Sequence, residues 1–94
     1  MSERSSSGGP ATFLVERYWP GITEAAFRAT HERLRTSAEA LRREGIEVAH
    51  LRSALAQDDE VVFFFRASSM AEVAEANRRG GVPFDRIVPV VEVE

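Results

Sequence analysis

The chain has 94 residues, a formal net charge of −3 and no cysteine, which excludes disulfides, thiolate chemistry and cysteine-ligated metals. Its 12 basic residues are interspersed with 15 acidic ones, so no basic face marks a nucleic-acid partner. No run approaches the roughly 18–20 apolar residues of a membrane span, and the default expectation is a soluble cytoplasmic protein that contacts no membrane.

Residues 1–10, MSERSSSGGP, are polar, Ser/Gly-rich and aperiodic, the signature of a disordered tail. The remaining residues, 11–94, are expected to form one small domain. A chain of this size buries only about 60–65% of the surface that it exposes when unfolded, so its core is thin.

Strand character begins with TFLVERY, residues 12–18, and stops at Pro20-Gly21. Thr23 is placed to cap a helix over 24–44, in which Phe27, Leu34, Ala38 and Leu41 form one apolar stripe. Glu24 suits the positive end of that helix and Arg42-Arg43 the negative end. Gly45 provides the left-handed exit. A second strand spans Val48–Leu55 and a third spans 61–67, VVFFFRA, with the hairpin-length loop AQDDE between them. Ser69-Met70-Ala71-Glu72 is a capping box that opens a short helix closed by Gly80-Gly81. Ile87–Val93 is the fourth strand, and Pro89 places it at a sheet edge because proline has no N–H to donate.

The order βαββαβ predicts an α+β, ferredoxin-like sandwich. It has a four-stranded antiparallel sheet in the order 4-1-3-2 with two helices on one face. Strict alternation along each strand assigns Leu14, Val48, Val62, Phe64, Val88 and Val90 to the open face. Glu16, Tyr18, His50, Arg52, Arg66 and Glu92 share that face. So mixed a surface is reconciled by a second copy packing on it around a polar pocket, which predicts a homodimer paired through the sheets.

Candidate ligand-binding residues are Glu16, Tyr18, Trp19, His50, Arg52 and Phe64, expected near the open face and the end of the first strand. Tyr18 and Trp19 suit a stacking wall, and equally a core plug or a dimer contact. His50 is a candidate base or metal ligand, or a histidine pairing with a neighbour at the interface. His31, at the margin of the helical stripe, is a second metal candidate or a hydrogen-bonded boundary residue. Asp58-Asp59-Glu60 reads as a solvated hairpin tip, and RRGGVP lacks the preceding strand of a phosphate cradle. No catalytic set is assigned.

The segments FLVERYWPGIT, EVVFFFRASSMAEV and ANRRGGVPFDRIVPVVEV resemble those of small bacterial nickel-responsive, nickel-binding proteins. The resemblance covers roughly residues 12–93 and implies a ferredoxin-like dimer that binds nickel or another divalent metal. The nickel-binding pattern is rich in histidine, with a His-His pair near the end of the first strand. Arg17-Tyr18-Trp19 stands there in this chain, and His31 and His50 are its only imidazoles. Since nickel favours imidazole, the resemblance implies a relative that holds a small ligand, or a divalent ion weakly, in a site rebuilt with aromatic and arginine side chains. The other activity compatible with this architecture is that of a cofactor-free monooxygenase or cyclase of the dimeric α+β barrel type. Its substrate would be aromatic or polyketide-like, with Tyr18, Trp19 and Phe64 holding it, His50 or Glu16 moving a proton, and Arg52 or Arg66 stabilising an enolate.

Overall fold

The computed structural model describes residues 9–93. Six elements follow in the order β1 (Ala11–Tyr18), α1 (Glu24–Arg43), β2 (Val48–Leu55), β3 (Glu60–Ala67), α2 (Met70–Arg79) and β4 (Arg86–Val90). The strands form one antiparallel sheet in the order β2-β3-β1-β4, the expected ferredoxin-like arrangement with Pro89 on an edge strand. Most of the segment expected to be disordered, residues 1–8, lies outside the described residues; Gly9 and Pro10 have no regular secondary structure.

Local chemistry explains where the elements start and stop. Thr23 accepts the Ala26 N–H at 3.1 Å, satisfying an otherwise orphaned donor of the first helical turn. In the box that opens α2, Ser69 accepts the Glu72 N–H, while the Glu72 carboxylate accepts the Ser68 N–H at 2.9 Å. Gly45, with φ +88, takes the chain out of α1 in a conformation that costs side-chain-bearing residues free energy.

β4 ends at Val90 rather than Val93. The reason is its partner: Thr12 of β1 pairs with Val90, and two residues earlier stands Pro10, which has no N–H for a longer ladder. Val91 and Val93 are left 92% and 89% exposed.

The core lies between the helices and one face of the sheet. It comprises Phe13 and Val15 of β1, Val48 of β2 and Val61, Phe63, Phe65 and Ala67 of β3. Leu34, Ala38 and Leu41 of α1, Val73 and Ala76 of α2, and Val82 complete it. α1 lies over β2, and α2 over β3 and β4. Ser37 of α1 donates to the Ala76 carbonyl at 2.7 Å. Beyond them, Arg79 bridges Glu44 and Glu75 at the C-terminal ends of both helices.

Strand β2 departs from strict alternation. Its register with β3 runs Val48–Ala67, Ala49–Arg66 and His50–Phe65, then skips to Arg52–Phe64 and Ser53–Phe63. Leu51 is the extra residue of a β-bulge. The inward set is therefore Val48, His50, Ser53 and Leu55, and Arg52 alone of the expected trio faces outward with Phe64. Assigning Val48 and His50 to the open face was incorrect, because alternation cannot carry across an inserted residue.

Phe63 is fully buried at the centre of the sheet. In so thin a core, Phe63→Ala leaves a cavity with little chance of collapse, and a loss of about 3–5 kcal/mol is expected. Urea unfolding followed by circular dichroism measures it; a loss below about 1 kcal/mol would contradict the packing described.

Candidate functional site

The bulge brings together side chains that a regular strand would separate. His50 and Ser53 are three apart, which in uninterrupted β structure puts them on opposite faces. With Leu51 inserted, both point towards α1. His50 Nε2 lies 2.9 Å from Ser53 Oγ, and His31 Nδ1 of α1 reaches the same oxygen at 2.8 Å. The two imidazole rings are 4.6 Å apart between centroids. His50 also packs on Phe65 at 5.1 Å and edge-on to Phe63 at 6.3 Å. Beside this cluster opens a cleft of about 450 Å³ lined by Phe27, Arg28, His31, Glu32 and Ser53.

The proton positions follow from burial. His50 Nδ1 is buried without a hydrogen-bond partner. An orphaned N–H is rarer and costlier in a protein interior than a bare acceptor, which favours the tautomer with the ring hydrogen on Nε2, directed at Ser53. In that tautomer Ser53 accepts from His50 and donates its own hydrogen to His31 Nδ1. Burial, then the positive potential of His31 and Arg35, depress the His50 imidazole to about 4, offset in part by the backbone at Arg52. His50 is therefore neutral at neutral pH.

The other candidate residues lie elsewhere. Glu16 is on the open face in an ion pair with Arg86 at 2.8 Å, across two strands from His50, whose side chain faces the helices. Arg52 lies over the Phe64 ring, 4.4 Å from its centroid, and pairs with Glu92. The Arg17 guanidinium covers Trp19 at 3.8 Å, and Trp19 packs against the core. Tyr18 is 55% exposed, and its backbone N–H donates to the Asp85 carboxylate at 2.7 Å. The Asp59 carboxylate accepts the Gly21 N–H at 3.0 Å, and its carbonyl accepts the Trp19 N–H at 2.9 Å. The crowded end of β1 is thus tied down by two aspartates from neighbouring loops. Ser53 was absent from the candidates; its signal, a hydroxyl three residues after a histidine, acquires meaning only with the bulge.

A family model described as "Nickel responsive protein SCO4226-like" matches residues 13–90. The chain belongs to this nickel-responsive family. A solved relative of like fold is SCO4226 from Streptomyces coelicolor A3(2), with a TM-score of 0.71 and 16% identity over 89% of this chain and 100% of that one. No functionally curated protein matches.

The family name raises the question of whether the residues present fit nickel. Among the described residues, no group of three or more His, Cys, Asp or Glu side chains could hold a metal ion. Two imidazoles converging on one hydroxyl supply part of the four to six donors that such an ion takes. Arg35 adds an opposing positive potential at His50. The described residues therefore do not compose a resident metal centre.

The depressed His50 fixes a pH dependence. Between its unfolded value of 6.5 and its folded value of about 4, the unfolded chain binds a proton that the folded chain refuses. Stability therefore rises with pH across that window and is lost as pH falls through it. Arg78 and Arg79 hold the Glu75 carboxyl down at about 2, so its effect falls below 4.5. Urea unfolding at a series of pH values should show the rise between about 4 and 6.5, and His50→Gln should flatten it.

Proposed function

We propose that the protein is a low-affinity, reversible binder of a divalent transition-metal ion, with nickel the ion to which its family points, and that it works as a homodimer paired through the open sheet faces. The convergence of His31 Nδ1 and His50 Nε2 on Ser53 Oγ carries the metal reading. It presents two nitrogen donors of the type nickel prefers, and His50 is neutral and competent to coordinate at neutral pH. Binding must displace the Ser53 hydrogen bonds and turn ring lone pairs towards the ion, with water completing the shell. Both requirements keep the affinity low, as suits a protein that responds to a metal rather than storing it.

Titration calorimetry with nickel should show weak binding, with heat developing towards millimolar metal, and His31→Ala or His50→Ala should abolish it. Silence from the wild-type protein at millimolar nickel would end the metal reading.

The dimer reading rests on the open face, where Leu14, Val62, Phe64, Val88 and Val90 are only half-buried within one chain. Phe64 sits at the middle of this surface, between Arg52 and Leu14 in the sheet register. In a lone chain, Phe64→Asp puts a carboxylate beside Arg52 and is tolerated. Between two packed sheets the same carboxylate loses its water, at a cost of several kcal/mol. Light scattering behind size exclusion should find a wild-type dimer at micromolar concentration and a folded Phe64→Asp monomer. A monomeric wild type would refute the pairing.

A further inference from the structure

We propose that Ser53 is an acyl-accepting nucleophile, with His31 as its base and His50 as the donor that steadies its oxygen. This goes beyond metal binding and requires no metal. The geometry is that of an activated hydroxyl: Ser53 Oγ lies 2.8 Å from His31 Nδ1 and 2.9 Å from His50 Nε2. Both distances are within the reach of proton transfer. A bare His50 Nδ1 favours the tautomer in which Nε2–H donates to Oγ and Oγ–H donates to His31. In that tautomer the serine proton points at His31 Nδ1, and His31 rather than His50 takes it.

Ser53 also has access to a substrate. It shares the wall of the 450 Å³ cleft with Phe27, Arg28, Glu32 and His31. Phe27 offers apolar surface to a short acyl chain. Arg28 is the one guanidinium in the lining; Glu24 holds its Nε and Nη2 at 2.9 and 2.7 Å, which leaves Nη1 to meet the charge that develops on a carbonyl oxygen. The class of substrate this suits is an ester of a small acyl group with a good leaving group.

In the step, Oγ attacks the ester carbonyl carbon and a new C–O bond forms as the Oγ proton passes to His31 Nδ1. The tetrahedral adduct collapses by breaking the bond to the leaving oxygen, which departs with that proton or as a phenolate. Water then attacks the acyl-serine, giving the carboxylic acid and restoring Oγ–H. No oxidant, reductant or cofactor is needed. Among the described residues no carboxylate hydrogen-bonds His31, the support that a catalytic imidazole has in a full triad. Deacylation is therefore slow, and the acyl-enzyme accumulates.

The composition makes the test clean. All 12 basic residues are arginine and there is no cysteine, so acylated lysine and cysteine cannot contribute, and peptide mapping distinguishes a stable Ser53 ester from a transient acyl group on His31 or His50. The full chain is incubated with p-nitrophenyl acetate at neutral pH in the presence of a chelator, then analysed by intact mass and peptide mapping. The expected result is a burst of about one equivalent of p-nitrophenol with one acetyl group on Ser53. Ser53→Ala, checked for folding by circular dichroism, should lose the burst. His31→Gln should slow it about 10²-fold, the scale of a lost general base. Acetylation only at the N-terminus or Tyr18, or equal labelling of Ser53 in urea-unfolded chain, would overturn the proposal. An undiminished burst in His31→Gln would do the same. Mapping on the wild-type chain decides the matter even if a variant fails to fold, and the chelator keeps the outcome separate from that of the nickel titration.

Discussion

One inserted residue governs this molecule. Leu51 interrupts the pairing of β2 with β3, and the strand serves two different faces on either side of it. Upstream, Val48 belongs to the core; downstream, Leu55 packs against the same core. A strand in regular alternation could not supply both, since an odd separation of seven residues would send one of them outward. The cost is a ladder broken in one place, on an outer strand where a bulge is best tolerated. The gain is a concave junction under α1 in which two imidazoles meet one hydroxyl.

The junction is polar on a scaffold too thin to hide many polar groups. His50 stands against Phe63 and Phe65 with one ring nitrogen unpartnered, a destabilising arrangement that the surrounding packing must offset. Rigidity comes from elsewhere. Asp59 and Asp85 hold the backbone at the end of β1, and Ser37, Arg33 and Arg79 tie the two helices together. Gly80 is part of that tie: its carbonyl accepts from Arg33 Nε at 3.0 Å, and a Cβ there would lie 3.4 Å from the Arg33 carbonyl oxygen of α1.

The elements and their order were legible in the sequence because their signals are local. Thr23, Ser69 and Glu72 announce helix starts, Gly45 an exit, and Pro89 an edge, and each does in the structure what its chemistry predicts. What depended on a partner strand was not legible. The end of β4 is decided by Pro10, eighty residues away in sequence, and nothing in VAHLRSAL distinguishes a bulged strand from a regular one. The candidate site shows the same divide. His31 and His50 were singled out by residue type and do come together, but the oxygen that joins them could not be recognised without the register. Trp19 and Phe64, candidates to hold a ligand by residue type, each have a guanidinium lying over the ring, a pairing that only the folded chain brings about.

The sheet's two borders have a consequence for how copies of this chain can assemble. β4 carries Pro89, which has no N–H to offer a neighbouring strand, and β2 is bent by its bulge, so neither border presents a long unbroken row of backbone donors and acceptors. Edge-to-edge addition, the route by which open sheets grow into fibres, is therefore obstructed at both ends. The pairing proposed above uses the flat of the sheet instead, which each chain has only once. A dimer closed through that one face would leave no second copy of it from which a strand-by-strand stack could grow.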